Sequence, residues 1–277
     1  MFHEMDVARD TEERSFIDRA ISDARALGKD TAVLLVGSRA LGVGGPWSDL
    51  DLWLLGNKER LEGRARAEYE LTGQVFVDRG DLQAHYTFYD FRDLEERLAR
   101  WTDELLWIVH VSQLLHDPVG RASDMKERFR DYPHDVLERK LRWWLCNYWQ
   151  CQGRLGVAAR GTAASAVMIA AECIESLCKV CCLADGRPFP YLKWLRRAAE
   201  KTTLGPLVCP AMDRAVRGVH ELVAPPVGRE FRELIPVKEL RALKDDLKEG
   251  LRKLGWSGAW VDEPGHHVWV VFNQTCP

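Results

Sequence analysis

The sequence lacks any apolar run long enough to cross a membrane. A spanning helix needs about 20 consecutive, mostly apolar residues, and charged residues interrupt every apolar segment of this 277-residue chain before that length. Residues 1–16, MFHEMDVARDTEERSF, are polar and acidic, whereas a secretory signal has a basic start followed by an apolar stretch. These two absences predict a cytoplasmic protein with no membrane partner.

The sequence also lacks an excess of charge of either sign. Lys and Arg total 39, Asp and Glu total 42, and the formal net charge is −3. Affinity for nucleic acid is built from clustered basic side chains that neutralise phosphates, so this balance disfavours nucleic acid as the partner. The 46% hydrophobic content is that of an ordinary globular protein, and the length allows one large domain or two smaller ones.

The eight cysteines do not form a zinc motif. Structural zinc sites pair cysteines in CxxC-type loops or with histidines, whereas Cys173, Cys178, Cys181 and Cys182 lie in one apolar segment typical of a buried helix. In a cytoplasmic protein such cysteines behave as small hydrophobic residues. We therefore predict buried thiols rather than disulfides or a metal site.

A phosphate-binding loop of the form GxxxxGK[ST] is absent, but residues 33–55, VLLVGSRALGVGGPWSDLDLWLL, carry another phosphate-binding pattern. Gly37 and Ser38 follow an apolar strand and open a short helix, where backbone N–H groups can bind an anion. Asp49 and Asp51 alternate with leucines and so share one face of the next strand. Two such charges repel unless a cation lies between them. The stretch predicts a metal ion beside a phosphate chain.

The rest of the sequence predicts an α+β protein, with an N-terminal mixed sheet carrying helices, followed by a C-terminal helical bundle. We place the two domains at residues 1–120 and 121–277, the second ending in a short tail. Alternation and turn residues predict strands at 74–77 and 82–89, joined as a hairpin. Apolar spacing predicts helices at 11–27, 58–71, 92–107, 135–150, 163–183, 191–201, 210–223 and 237–254, and a short strand is predicted at 267–272.

The pattern formed by Gly37, Ser38, Ser48, Asp49 and Asp51 resembles the nucleotidyltransferase superfamily that includes DNA polymerase beta. By motif this resemblance covers roughly residues 1–90. A catalytic domain followed by a helical bundle is more narrowly similar to the small-molecule enzymes that modify aminoglycosides and lincosamides. The resemblance implies that the two aspartates hold Mg²⁺ on a nucleoside triphosphate and that the Gly-Ser turn binds its outer phosphates. A substrate hydroxyl would attack the α-phosphate and release pyrophosphate.

The family also carries a third carboxylate on a neighbouring strand, and here the sequence departs from the pattern. The matching segment, residues 81–86, reads DLQAHY, and alternation puts Asp81, Gln83 and His85 on one face. We place Gln83 in the expected acidic position and take Asp81 as the candidate third metal ligand. A glutamine cannot accept a proton from a hydroxyl, so the third role stays open among these three residues and Glu175.

The predicted bundle adds further candidate site residues. Aminoglycoside-type relatives carry E-x-x-x-K on a bundle helix, which implies Glu175 as general base, with Glu172 as its competitor, and Lys179 on phosphate. The fragment around Lys193 resembles a turn whose lysine approaches the triphosphate, and Arg39 can bind phosphate through two N–H groups. The alternatives are an ordinary helical ion pair for the Glu-Lys motif and a solvated helix face for Lys193.

Together these features predict the transfer of a nucleoside monophosphate, with AMP from ATP as the expected case, to a hydroxyl of a small molecule such as an antibiotic. The expected partners are Mg²⁺, a nucleoside triphosphate and a small hydroxylated acceptor, and a homodimer is left open. Two other functions also stay open: transfer to a protein or RNA acceptor, as in antitoxin-like relatives, and nucleotide binding without turnover.

Overall fold

The structure is a computed structural model and describes residues 2–45, 48–57, 74–79 and 82–269. The chain divides into two compact units, Met1–Arg130 and Asp131–Pro277. The first contains a mixed sheet with helices, and the described part of the second is built from helices. This architecture confirms the predicted α+β class. Among the described residues, no helix is long and apolar enough to span a membrane.

A five-stranded sheet organises the first unit in the order β3-β4-β2-β1-β5. Strands β2 and β4 run parallel, and the other neighbouring pairs are antiparallel. Every residue of β1 is buried, as its uninterrupted apolar run AVLLV predicts. The strands are β1 (Ala32–Val36), β2 (Leu50–Gly56), β3 (Gln74–Arg79), β4 (Leu82–Asp90) and β5 (Gln113–His116).

Helix α1 covers this sheet, because Phe16, Ala20 and Ala24 are buried in one cluster with apolar side chains of β1 and β2. The Tyr86 hydroxyl on β4 donates a hydrogen bond to the Phe16 carbonyl at 3.2 Å, which fixes the helix to the sheet. The helices that the structure describes in the first unit are α1 (Phe2–Leu27), α2 (Gly37–Ala40), α3 (Phe91–Leu98), α4 (Asp103–Val111) and α5 (Arg121–Arg128).

The single helix predicted over residues 92–107 is wrong. The chain forms α3 and α4 instead, because Trp101 adopts a φ of 56° in the left-handed region and Thr102 turns to extended backbone before α4. Helix α5 was not predicted either, since its buried face consists only of Ala122 and Met125. The helix predicted at 58–71 lies outside the described residues.

The second unit is a helical bundle around an apolar core. Its helices are α6 (His134–Val157), α7 (Ala163–Ala184), α8 (Leu192–Glu200), α9 (Gly205–Arg217), α10 (His220–Val223), α11 (Ile235–Lys253) and α12 (Ala259–Asp262). Gly186 ends α7 at a φ of 73°, so that the Arg187 N–H bonds to the Cys182 carbonyl at 3.0 Å.

Two boundaries in this unit differ from the sequence predictions. The helix predicted over 210–223 begins earlier, at Gly205, and is split after Arg217 into α9 and α10. The strand predicted at 267–272 is wrong where the structure describes it, because Pro264–His267 forms a 3-10 turn; residues 270–272 lie outside the described ranges.

The described cysteines are all buried and none of them is in a disulfide, which confirms the prediction of buried thiols. Desolvation by burial raises the pKa of Cys146 to about 11. The same cause, reinforced by neighbouring carboxylates or thiols, raises the pKa values of Cys151 and Cys178 to about 12. These thiols stay protonated at neutral pH and act as core residues.

Candidate active site

The turn after β1 brings Gly37 into direct contact with Asp51 of β2, the strand that follows Asp49 and is called the acidic strand below. Val36, at the end of β1, pairs with Asp51 of β2. Gly37 adopts a φ of +71°, a conformation that favours glycine, and a Cβ at this position would collide with the Asp51 carboxylate. Glycine is therefore needed here both for the backbone conformation and for the approach of the carboxylate.

The same turn presents backbone N–H groups beside the carboxylate. Helix α2 spans only Gly37–Ala40, so any dipole it carries is that of a single turn. Its capacity to hold an anion therefore rests mainly on the N–H groups of its first residues, which have no partner within a helix. Ser38 is buried in this turn.

Asp49 and Asp51 lie beside His85 of β4. The parallel register pairs Asp51 with His85. The Nδ1 atom of His85 lies 3.2 Å from Oδ1 of Asp51 and 3.6 Å from Oδ2 of Asp49. One ligand atom from each of the three residues can be chosen so that all lie within 4.8 Å of one another. The side chains are 40%, 28% and 19% exposed for Asp49, Asp51 and His85, so the cluster is accessible to a ligand.

Among the residues that the structure describes, the third member of this cluster is a histidine, whereas the family resemblance implies a carboxylate. The sequence prediction put Gln83 in that position, whereas the register sets His85 opposite Asp51. The backbone of Gln83 pairs with Asp78 of β3, and its side chain lies outside the described part of the structure, as does all of Asp81. Alternation in the sequence puts His85 on one face of its strand together with Asp81 and Gln83. Only the strand register shows that His85 lies opposite Asp51.

Arg39, in the turn after β1, contacts both helix α1 and the loop before β2. One guanidinium nitrogen, Nη2, lies 2.6 Å from Oε1 of Glu13 on α1 and donates to the Ser48 carbonyl at 3.2 Å. The loop packs closely on the same side chain, because a Cβ at Gly44 would lie 2.6 Å from the Arg39 Cδ atom. Arg39 therefore holds α1 and the loop before β2 in place, a positioning role that the sequence did not reveal. Its contact with phosphate remains a prediction.

The other predicted site residues belong to the second unit, on α7 and α8. Lys179 donates to Oε1 of Glu175 at 2.5 Å. Its ammonium nitrogen also lies 3.7 Å and 4.8 Å from the ring centroids of Trp144 and Phe189. With 9% of Lys179 exposed, this is the environment of a buried cation–π interaction. Lys193 is exposed on α8, with its ammonium 5.2 Å from the Trp194 ring.

Glu175 and Glu172 line an open groove on the second unit. The groove has a volume of about 540 Å³, and the other residues that line it are Ser165, Met168, Ile169, Ala171 and Leu192. Met168 and Leu192 are exposed there, at 72% and 68%. Each carboxylate has a cation nearby, since Glu175 pairs with Lys179 and Glu172 lies 3.5 Å from Arg154. The groove thus combines apolar surface with two carboxylates.

Two family models match the chain. Residues 17–131 match the model of the nucleotidyltransferase domain, and residues 99–195 match a model described as a domain of unknown function, DUF4037. No curated protein is similar enough to count as a match.

Solved structures show only distant similarity. A nucleotidyltransferase-like protein from Exiguobacterium sibiricum 255-15 is 10% identical, with 81% of this chain and 71% of that chain covered and a TM-score of 0.45. A tRNA-processing enzyme in an apo form is 14% identical, with 90% and 80% covered and a TM-score of 0.30.

The nucleotidyltransferase match contains every part of the site in the first unit. Residues 17–131 include the Gly37–Ser38 turn, both aspartates and His85. The family model and the geometry of the turn and the acidic strand therefore agree. Residues 17–131 thus match a nucleotidyltransferase domain.

Proposed function

We propose that the protein transfers a nucleoside monophosphate, AMP from ATP in the expected case, to a hydroxyl of a small molecule and releases pyrophosphate. The observation that supports this proposal is the cluster of Asp49, Asp51 and His85 in contact with the Gly37 turn. Carboxylates and backbone N–H groups at one place suit a ligand that carries both a cation and phosphates.

The residues of the cluster fit a divalent cation. Two carboxylates and an imidazole offer three ligand atoms within 4.8 Å of one another, and all three groups are established metal ligands. Without a cation, the two carboxylates would repel a triphosphate bound at the adjacent turn. A divalent ion such as Mg²⁺ supplies charge neutralisation and polarisation of the phosphoryl oxygens when it is bound.

The chain's own groups would bind and orient the nucleotide. Asp49 and Asp51 hold the cation, and the backbone N–H groups of Gly37 and Ser38 bind the outer phosphate oxygens. Because Gly37 has no Cβ, the Asp51 carboxylate can stay close to that turn. Metal ligands and phosphate donors are thus positioned by adjacent strands of one sheet.

For the acceptor we propose the groove of the second unit. Its exposed Met168 and Leu192, next to the carboxylates of Glu172 and Glu175, favour a small molecule with apolar and cationic parts. Following the family resemblance, we propose Glu175 as the general base. Its side chain is 33% exposed, and the ion pair with Lys179 orients the carboxylate.

Pyrophosphate release tests this function directly. We would incubate the full-length protein with a divalent ion, each of the four nucleoside triphosphates labelled at the α-phosphate, and a panel of hydroxylated amines. We expect pyrophosphate in a one-to-one ratio with labelled acceptor. No release with any acceptor would overturn the proposal.

A second candidate function is nucleotide binding without turnover. It is favoured by His85, because among the described residues the third group beside the two aspartates is an imidazole and not a carboxylate. Tight binding of a triphosphate without pyrophosphate release would favour this function. Labelling of a protein or RNA instead of the small amines would identify a macromolecular acceptor.

A further inference from the structure

The third side chain of the metal cluster decides which ion it prefers. We propose that His85 binds the metal directly through Nδ1 and that the site therefore prefers first-row transition ions, with Mn²⁺ as the probe, to Mg²⁺. The inference rests on the proposed function only in taking Asp49 and Asp51 as the metal ligands.

The two distances from His85 to the aspartates are close to those between ligands of a single ion. Metal–ligand bonds of about 2.0–2.2 Å place neighbouring ligand atoms about 3.0–3.5 Å apart around one ion. The Nδ1 atom of His85 lies 3.2 Å from Asp51 Oδ1 and 3.6 Å from Asp49 Oδ2. The three groups can therefore act as ligands with little rearrangement.

The strand holds His85 in this place. Its neighbours Ala84 and Tyr86 are buried, and the Tyr86 hydroxyl donates to the Phe16 carbonyl at 3.2 Å. The register sets His85 directly opposite Asp51. The imidazole is thus fixed beside the carboxylates by the sheet and by α1, as a metal ligand needs to be.

The chemistry of the ligands then sets the preference. Mg²⁺ binds oxygen ligands in near-ideal octahedral geometry, whereas imidazole is a ligand of first-row transition ions. Mn²⁺ is the weakest binder of the first-row transition ions at a nitrogen site. The preference over Mg²⁺ should therefore be smaller for Mn²⁺ than for the other transition ions. Mn²⁺ also accepts carboxylate and phosphate oxygens, as the nucleotide requires.

The decisive comparison is between His85→Asp, which supplies the carboxylate of the family, and the wild type. We would titrate metal-free, nucleotide-free protein with Mn²⁺, follow free Mn²⁺ by electron paramagnetic resonance, and compete with Mg²⁺. The ratio of the Mg²⁺ to the Mn²⁺ dissociation constant should fall about tenfold in His85→Asp, equivalent to about 1.4 kcal/mol. It should not change in the control His220→Asp, which alters an exposed histidine on α10.

Pulsed electron paramagnetic resonance tests the direct bond. Protein-bound Mn²⁺ should show coupling to a nitrogen nucleus that changes when histidine is labelled with ¹⁵N. The coupling should disappear in His85→Asp and persist in His220→Asp. Bound Mn²⁺ without nitrogen coupling in the wild type, or an unchanged ratio in a folded His85→Asp variant, would overturn the inference. If that variant does not fold, the ¹⁵N experiment on the wild type decides alone.

Failure of the proposed function would look different. A protein that shows the nitrogen coupling but releases no pyrophosphate with any acceptor would contradict the proposed function. The metal inference would stand in that case, because its measurements require neither nucleotide nor turnover.

Discussion

Two groups of charged side chains, one in each unit of the molecule, lie in opposite environments. In the first, Asp49 and Asp51 remain 40% and 28% exposed while they converge on one imidazole. In the second, Lys179 is 9% exposed and is surrounded by the Glu175 carboxylate and two aromatic rings. Exposed, convergent charges are able to bind a ligand, whereas a buried charge that is already surrounded by a carboxylate and aromatic rings makes its contacts within the fold. The contrast distinguishes accessible from internally paired charges among the residues that the sequence singled out.

The largest expected effect concerns the acidic strand. Asp49→Asn and Asp51→Asn should each lower kcat/KM about 10³-fold, roughly 4 kcal/mol, because an amide cannot provide the negative charge that holds the cation. Thermal unfolding should change little, since both side chains are partly exposed. The control is Asp124→Asn, an exposed acid on α5. Full activity in both strand variants would show that these aspartates are not the metal ligands.

Gly37→Ala should damage both stability and the site. Its left-handed φ costs a non-glycine residue about 1–2 kcal/mol, and the added Cβ would also displace the Asp51 carboxylate. We expect metal affinity, measured by calorimetry, to fall about tenfold. The matched control is Gly42→Ala, at a φ of +65° with no atom within 4 Å of the added Cβ. This variant should lose comparable stability but keep its metal affinity. Equal metal affinities in the two variants would contradict the close contact between Gly37 and the Asp51 carboxylate.

Lys179→Met tests the buried charge of the second unit. Removing the ammonium breaks the contacts with Glu175, Trp144 and Phe189, so the free energy of unfolding should fall by about 1–3 kcal/mol in denaturant titrations. The KM for nucleotide should change less than about threefold. Lys193→Met, at an exposed position, should change stability by less than about 0.5 kcal/mol. A large rise in KM with unchanged stability in Lys179→Met would instead identify Lys179 as a phosphate ligand.

The smallest effect concerns the buried thiols of the second unit. Burial raises the pKa of Cys151 and Cys178 to about 12 from the ordinary thiol value of 9.0, so the folded state keeps their protons at a pH where the unfolded chain loses them. Stability should be complete below pH 9 and should decline as the pH rises from about 9 toward 12. Alkylation of Cys151 and Cys178 at pH 8 should require denaturant. Rapid alkylation of either residue in the folded protein would contradict their assignment to the core.

The sequence predicted the turn and the acidic strand because both depend on local chemistry. A glycine after an apolar strand and acids alternating with leucines can be recognised without knowing any partner strand. The position of His85 could not be predicted in the same way, because it depends on the parallel register between β2 and β4. These strands are linked through residues 57–81, most of which lie outside the described ranges, and the registration of distant strands leaves no local signal.

The environment of Lys179 was hidden for the same reason. Its i,i+4 relation to Glu175 is visible in the sequence, and the ion pair that the structure contains was one of the alternatives that this relation left open. Trp144, however, comes from α6, and Phe189 follows the turn after α7. Only packing shows that these rings enclose the ammonium. Arg39 is a similar case, since its partner Glu13 lies on α1.

The binding of a non-hydrolysable ATP analogue, measured with and without a divalent ion, tests the central claim most directly. That claim is that Asp49 and Asp51 bind the cation that holds the nucleotide at the Gly37 turn. The account predicts that the ion strengthens binding about tenfold or more in the wild type, a coupling of about 1.4 kcal/mol, and has no effect in the double variant Asp49→Asn/Asp51→Asn. The same ion dependence in the wild type and the double variant would contradict it.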